Sequence, residues 1–296
     1  MRKYAIMTDT GSDLDGELLK KYDLGCVPMH FIVNGKDYDV DLDWKEISAK
    51  DFYDLLRQGT RITSAQVSQE SYKNIFKSYL DQGLDILYVA TSSALSAGIK
   101  TATIIAEEMK KDYPDAKIIC VDALRACFAL GILAITASEL RSEGKTIEET
   151  ALWLEENKLK VNMIGSVESL VYLKRAGRVS AASAFFGGLL NIKPIIIADA
   201  KGQNFAVEKV KGRKTSFMKI AERFAAQYED NPYQKVFISH ADCIEEAEEL
   251  KKMLCDKVGK ELDVHIGYVG PGVGASVGPG MIGAYCIGKK VTENGD

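Results

Sequence analysis

Short apolar runs alternate with amphipathic stretches through the first half of the chain. Residues 4–8, 84–91 and 117–121 are apolar runs of the length expected for buried strands, and each run ends at polar residues. Apolar residues at helical spacing follow the second run, and a largely apolar stretch over 125–141 follows the third. Strands that alternate with helices favour a parallel sheet covered by helices. We therefore predict an α/β fold whose first half contains a mainly parallel sheet.

The second half of the chain has a different order of elements. Three strand candidates follow one another between residues 163 and 210, before a helix near 216–228. A strand, a helix and another strand then lead to a glycine-rich stretch at 270–280 and a last short strand. Because the regular alternation stops near the middle, we predict two α/β domains, at 1–160 and 161–296.

Composition and charge exclude several classes of protein. The 296 residues are 46% hydrophobic and 27% charged, which is typical of a globular protein, and the net charge of −4 gives no overall attraction to nucleic acid or anionic lipid. We expect no nucleic-acid partner and at most transient membrane contact.

The six cysteines form no C-x-x-C pair and the three histidines lack zinc-ligand spacing, so we predict reduced thiols and no metal site. The first residues contain no signal-peptide run, which favours a cytoplasmic location.

Hydroxyl side chains are concentrated where a predicted strand meets a predicted helix. Ser92, Ser93 and Ser96 lie between the run that ends at residue 91 and the helix that follows it. Free N–H groups and the helix dipole at such a position favour an anion. A single serine is explained as a helix cap, but three serines exceed that need. Thr63 and Ser64 belong to a second hydroxyl cluster, in a polar stretch that we predict to be a loop. A solvent-exposed loop without a binding role would also explain these hydroxyl side chains.

The glycine-rich stretch and two aspartates leave an enzymatic alternative open. Glycines at 270–280 permit close backbone approach to a ligand, but the stretch lacks the Gly-Lys-Ser/Thr ending of a Walker loop. Ser276 formally matches a hydrolase nucleophile elbow, yet no histidine follows His265 to complete a triad. Asp9 and Asp13 follow the first strand, where aspartates are often caps or turn formers. The alternative is an enzyme that acts on a phosphorylated small molecule through these aspartates and the glycine-rich stretch.

A series of motifs along the whole chain resembles the DegV family of bacterial lipid-binding proteins. The motifs are Thr-Asp-Thr-Gly-Ser-Asp-Leu at 8–14, Ser-Ala-Gln-Val-Ser at 64–68, Ser-Ser-Ala-Leu-Ser-Ala-Gly-Ile at 92–99, Leu-Val-Tyr-Leu-Lys-Arg-Ala-Gly-Arg-Val-Ser at 170–180, Ile-Lys-Pro-Ile at 192–195 and Gly-Ala-Ser-Val-Gly-Pro-Gly at 274–280. Their specificity comes from their number and order along the chain.

The resemblance implies two α/β domains with a ligand tunnel at or near their junction. It implies that the chain binds one long-chain fatty acid, without a cofactor or catalytic residues of its own. Some family members hand the acid to a separate kinase subunit. Carried over, the carboxylate would be held by the Ser64 and Ser93 hydroxyls and by backbone amides, with Arg178, Gly274 and Ser276 as further contacts. A third possibility is a scaffold protein of this fold that has lost lipid binding.

One departure from the family pattern bears on the kinase subunit. The last family motif has a histidine near the acyl head group, and this chain has Ser276 in its place. The loss of an imidazole there affects the expected kinase partnership more than it affects the expected lipid binding.

Overall fold

The computed structural model describes residues 2–179 and 191–295. Ser180, the last residue of the motif at 170–180, lies outside the described residues. The strands, in chain order, are Tyr4–Asp9 (β1), Leu24–Val27 (β2), His30–Val33 (β3), Lys36–Asp39 (β4), Ile62–Ala65 (β5), Asp85–Ala90 (β6), Ile118–Asp122 (β7), Val161–Ser166 (β8), Ile192–Ala198 (β9), Asn204–Lys211 (β10), Val236–His240 (β11), Val264–Tyr268 (β12) and Ile282–Ile287 (β13).

The helices occupy most of the segments between the strands. They are Gly16–Lys21 (α1), Ala49–Arg57 (α2), Gln69–Leu80 (α3), Gly98–Met109 (α4), Phe128–Ser142 (α5), Ile147–Asn157 (α6), Val171–Ala176 (α7), Arg213–Gln227 (α8), Ile244–Val258 (α9) and Pro271–Val277 (α10). Short 3-10 turns at Thr10–Ser12 and Lys158–Lys160 follow β1 and α6.

Four strands of the first half form a parallel sheet in the order β2-β1-β6-β7. Side chains of α3 and α4, such as Tyr72 and Ile105, pack on one face of this sheet. Apolar residues of α5 and α6, such as Leu130 and Leu154, pack on the other face. Helices on both faces are the usual arrangement of a parallel sheet, and the predicted α/β fold with a mainly parallel first sheet is confirmed.

The second half forms a six-stranded mixed sheet in the order β10-β9-β8-β13-β11-β12. The β11–β12 pair is parallel, and the other neighbouring strands are antiparallel. Buried residues of α8 and α9, including Phe224 and Leu250, cover one face. All six strands come from residues after 160, but the domain boundary at 160 itself stays a prediction.

Side-chain caps define the starts of two helices. The Ser48 hydroxyl accepts a hydrogen bond from the N–H of Asp51 at the start of α2. Thr146 and Glu149 form a reciprocal capping box at the start of α6. Helix α5 is apolar all round because it lies between the parallel sheet and strands β8 and β13, and most of its residues are buried.

Regular structure is also present in the predicted loop that contains Thr63 and Ser64 and in the glycine-rich stretch. Strands β3, β4 and β5 form a small antiparallel sheet, in which Ser64 of β5 pairs with Phe31 of β3. The strands are only four residues long and two of the four residues of β5 are polar, so the sequence carries little strand signal there. The glycine-rich stretch contains helix α10, which begins at Pro271 and ends before Gly278 at φ +75°. Proline suits a first helical position, where its missing N–H has no helical partner to lose.

Candidate functional site

A cavity of about 320 Å³ lies among the ends of β6 and β7, the small sheet, α10 and the six-stranded sheet. Most of its wall is apolar. The lining residues are Met29, Ser64, Ala65, Gln66, Thr91, Leu95, Ser96, Ala97, Arg125, Ala126, Cys127, Met163, Leu173, Arg178, Ala198, Gly202, Asn204, Gly272, Val273, Ser276, Val277, Met281 and Tyr285. Its volume lies at the lower end of the range for small-molecule sites, which are mostly apolar with a few polar groups.

One side of the cavity is polar and partly open to solvent. Ser64 and Ser276 are half-buried there, on β5 and α10, and the Arg178 side chain is exposed. The Arg178 guanidinium donates from Nε to the carbonyl of Leu95 at 3.2 Å, which holds it beside Ser96. The Ser96 hydroxyl accepts the N–H of Gly98 at 3.2 Å. We call Ser64, Ser96, Arg178 and Ser276 the rim.

A smaller cavity of about 170 Å³ adjoins the rim. It shares Ser64, Arg178 and Ser276 with the main cavity, and Arg61 and Arg175 also line it. Three arginines therefore surround the outer side of the rim. This arrangement suits a negatively charged head group whose tail occupies the apolar wall of the main cavity.

The three serines after β6 have three different environments. Ser96 lines the cavity. Ser92 is buried outside the cavity lining, and its hydroxyl donates to the carbonyl of Gly202 at 2.8 Å. The Ser93 side chain is exposed and does not line the cavity, while its N–H donates to Asp122 Oδ1 at 3.2 Å. The structure therefore brings Ser96, and not Ser92 or Ser93, together with Ser64 and Ser276.

Two other predicted contacts lie away from the main cavity. Thr63 is exposed and lines only the smaller cavity, because adjacent residues of a strand point to opposite faces. Gly274 is buried where α10 crosses α2, and a Cβ added there would lie 2.6 Å from Tyr53 Oη. Gly274 thus permits close packing between α10 and α2, and it is absent from the cavity lining.

The aspartates of the enzymatic alternative are buried and hold the backbone in place. The Asp9 carboxylate accepts hydrogen bonds from the N–H of Gly11, the hydroxyl of Tyr88 and both the N–H and hydroxyl of Thr91, at 2.6–2.9 Å. Burial raises the pKa of Asp9, although these donors oppose the shift. With four protein donors on its two oxygens, Asp9 has little capacity left for a metal or a substrate.

Asp13 is buried beside the start of α10. Its Oδ1 accepts the N–H of Gly270 at 2.9 Å. Burial raises the pKa of Asp13 to about 7, and the Gly270 N–H and the Cys127 thiol oppose that rise. Neither Asp9 nor Asp13 lines the cavity. Among residues 2–179 and 191–295, no group of three or more His, Cys, Asp and Glu side chains is placed to hold a metal ion.

Arg125 is a cavity residue that sequence reasoning missed. It is fully buried and lies in the turn between β7 and α5. Its Nε donates to the carbonyl of Val161 at 2.5 Å, and its Nη1 donates to the carbonyls of Leu124 and Asp199 at 2.7 and 3.1 Å. Burial lowers the pKa of Arg125 to about 10, so the side chain stays charged near neutral pH. The available signal was an arginine at the first position of the largely apolar stretch over 125–141.

Cys127 and Tyr285 lie in the buried part of the cavity wall with Arg125. Cys127 has φ +53°, and its N–H donates to the carbonyl of Gly11 at 2.6 Å. The Tyr285 hydroxyl is 2.7 Å from Ser239 Oγ. Burial raises the pKa of the Cys127 thiol far above its ordinary value. The thiol is therefore neutral and a poor nucleophile, as expected for a wall residue.

Comparisons with known proteins match nearly the whole chain. The family model for the uncharacterised proteins of the DegV family matches residues 3–289. A DegV domain-containing protein of Clostridium perfringens, CPE0026, is 35% identical over 97% of this chain and 98% of that protein. In the described part of the chain, no helix combines the length and hydrophobicity that crossing a membrane requires.

Solved structures of the family have the same fold. A DegV lipid-binding protein of Thermotoga maritima is 26% identical, with a TM-score of 0.85 over 98% of this chain and all of that chain. A DegV family protein of Thermus thermophilus, described as binding fatty acid, is 24% identical, with a TM-score of 0.86 and the same coverage. The family model matches nearly the full length and the solved relatives share the fold, so this chain belongs to the DegV family.

Proposed function

We propose that this protein binds one long-chain fatty acid, with the carboxylate at the rim and the acyl chain along the apolar wall of the main cavity. The observation that carries this proposal is the junction of hydroxyls and arginines at one side of a mostly apolar cavity. The Thermotoga and Thermus relatives, described as lipid- and fatty-acid-binding proteins, support it.

The carboxylate position follows from the placement of the side chains. Ser64, Ser96 and Ser276 supply hydroxyl donors, and Arg178 supplies a charged donor at the partly open side. The family resemblance favours Ser93 instead of Ser96, but the Ser93 side chain is exposed outside the cavity. We therefore assign the carboxylate to Ser64 and Ser96, with Arg178 and Ser276 as further contacts.

The energetics of an acyl ligand require such a rim. About 15 methylenes contribute about 12 kcal/mol of gross transfer free energy at about 0.8 kcal/mol each. Association costs of about 4–15 kcal/mol offset much of that gain. A carboxylate left without partners inside the protein would cancel the remainder. Binding therefore depends on hydroxyl and guanidinium donors that are already in position.

The proposed role is that of a carrier, and the protein would work without catalytic residues, a cofactor or a metal. The internal hydrogen bonds of Asp9 argue against the alternative enzyme. Transfer of the acid to a kinase subunit is a further part of the proposal, and Ser276 at the rim is the position that tests it. A cytoplasmic location and transient membrane contact remain predictions.

Lipid extraction tests the function directly. The purified protein is denatured, and the released lipid is identified and counted by mass spectrometry. We expect about one long-chain fatty acid per chain. The delipidated protein is then titrated with hexadecanoic acid in a calorimeter, with heat-denatured protein as the control. The proposal fails if no acyl species is released and no saturable binding is measured. Metal-dependent phosphoester turnover that Asp9→Asn abolishes would favour the enzymatic alternative.

A further inference from the structure

Arg125 brings a positive charge into a cavity wall that is otherwise mostly apolar. The side chain is 0% exposed, and three of its hydrogen bonds go to backbone carbonyls. Its Nη2 has no hydrogen-bond partner within the described residues. The guanidinium is thus held rigidly by one side, while part of its donor capacity remains unused.

The charge of Arg125 also lacks an ion-pair partner among the described residues. The charge of Asp199 acts on Arg125, but the hydrogen bond between these residues is made by the Asp199 backbone carbonyl. The Asp199 carboxylate accepts instead from the N–H groups of Lys201, Gln203 and Gly295. Buried charges in proteins are normally paired, and a buried N–H without a partner is costly. A plain hydrocarbon chain packed beside Arg125 would leave its charge unpaired and its Nη2 without a hydrogen-bond acceptor.

Arg125 is separate from the rim. Ser64, Arg178 and Ser276 line both cavities, whereas Arg125 lines only the main cavity, next to Cys127 and Tyr285, which are also buried. The cavity therefore has one set of donors at its open side and a second, charged donor in its buried wall.

We infer that the preferred ligand is a fatty acid that carries an additional oxygen acceptor on its acyl chain, and that Arg125 Nη2 binds this acceptor. The acceptor is a hydroxyl, an oxo group or a second carboxylate, of which a carboxylate also supplies the missing charge partner. This inference rests on the proposed function and specifies its substrate class. The rim holds the first carboxylate, and Arg125 distinguishes the oxygenated chain from the plain one.

The affinities of acids of equal length for the unaltered protein test the inference. Delipidated protein is titrated with hexadecanoic acid, with its mid-chain and terminal hydroxy acids, and with hexadecanedioic acid. A hydrogen bond to a charged donor predicts that at least one oxygenated acid binds about tenfold or more tightly than hexadecanoic acid. If the plain acid binds as tightly as all the oxygenated acids, the inference is wrong while the proposed function stands. If none of the acids binds, both fail.

Two variants locate the preference. Arg125→Met keeps much of the side-chain length and removes the donors, so the oxygenated acids should lose their advantage and bind with about the same affinity as hexadecanoic acid. Arg125→Lys keeps the charge and should retain part of the preference, which covers the case in which the methionine variant does not fold. Thermal unfolding of each variant is measured alongside. Equal weakening of plain and oxygenated acids by Arg125→Met would instead assign Arg125 to the first carboxylate and overturn the inference.

Discussion

The carboxylate of Asp13 accepts a 2.9 Å hydrogen bond from the N–H of Gly270, joining groups 257 residues apart in the chain. The bond connects the turn after β1 to the residue that precedes α10. Because α10 carries Ser276 and Val277 into the cavity wall, Asp13 fixes one wall of the cavity without lining it.

Asp13→Asn should change how stability depends on pH. The pKa of Asp13 rises from 3.8 to about 7 in the folded protein, so the folded state keeps a proton that the unfolded state loses between those values. Stability due to Asp13 is therefore greatest at low pH and decreases as pH rises to about 7, by at most about 1.4 kcal/mol per pH unit. Asparagine still accepts from Gly270 and tolerates φ +58° at this position. Denaturant unfolding across this range should give a flatter profile for the variant, and parallel profiles would contradict the prediction.

Ser96→Ala and Ser93→Ala should differ in fatty-acid binding. Ser96 lines the cavity, whereas the Ser93 side chain is exposed outside it. A lost hydrogen bond to a carboxylate costs about 1.5–3 kcal/mol, so Ser96→Ala, alone or with Ser64→Ala, should weaken binding about tenfold or more. Ser93→Ala is the matched control and should bind as wild type does. The reverse pattern in calorimetry would return the carboxylate to Ser93.

Ser92→Ala should reduce stability and leave the cavity lining unchanged. Its hydroxyl donates to the carbonyl of Gly202 at 2.8 Å, and both groups are buried. Removal of the donor leaves a buried carbonyl with one partner fewer, at a cost of about 1–3 kcal/mol in the free energy of unfolding. Ser93→Ala should change this free energy by less than about 0.5 kcal/mol. Equal denaturation midpoints for the two variants would mean that the Ser92 hydrogen bond contributes nothing.

Gly274→Ala should destabilise the packing of α10 on α2. The added Cβ would lie 2.6 Å from Tyr53 Oη, and Tyr53 is held by a 2.6 Å hydrogen bond to the carbonyl of Val269. Overpacking of this kind costs about 1–3 kcal/mol. Gly272→Ala is the control, because its Cβ would meet Val40 Cγ2 at 3.3 Å and alanine improves helix propensity equally at both positions. The prediction fails if Gly274→Ala is as stable as Gly272→Ala in chemical denaturation.

Ser276→His should increase transfer of a bound fatty acid to a kinase. Ser276 lies at the rim, where the family pattern has a histidine near the head group, and serine is too short to replace an imidazole. Fatty-acid binding should persist in the wild type because most of the gross free energy comes from the chain. Phosphorylation is measured with a kinase subunit from a related bacterium. Rapid phosphorylation with wild type that the substitution does not increase would show that the histidine is dispensable.

The sequence predicted long, periodic elements well and short or glycine-rich ones poorly. The apolar runs at 4–8, 84–91 and 117–121 match β1, β6 and β7 to within one residue, and the apolar stretch over 125–141 contains most of α5. Strand β5 was missed because four residues provide too little alternation, and α10 was missed because glycines lower helix propensity. Tertiary packing stabilises both elements.

The residues that line the cavity could be predicted only in part from the sequence. The sequence motifs identified Ser64 and the three serines after β6 as candidates. Of those three serines, only Ser96 lines the cavity. Which serine does so depends on the conformation of the turn after β6, which the motifs do not specify. Arg125 was missed because its burial depends on carbonyls from Val161 and Asp199, which are distant in the chain. A local pattern cannot reveal partners that only the fold brings together.

The position of β13 has a consequence for synthesis of the protein. This strand lies between β8 and β11, which both precede it in the chain, and it carries Tyr285, with Met281 just before it. During translation, β13 therefore leaves the ribosome after β8 and β11, its two neighbours in the six-stranded sheet. Until then the nascent chain has a gap in the sheet and an incomplete cavity wall. The cavity wall that Met281 and Tyr285 complete can therefore form only after translation has passed β13.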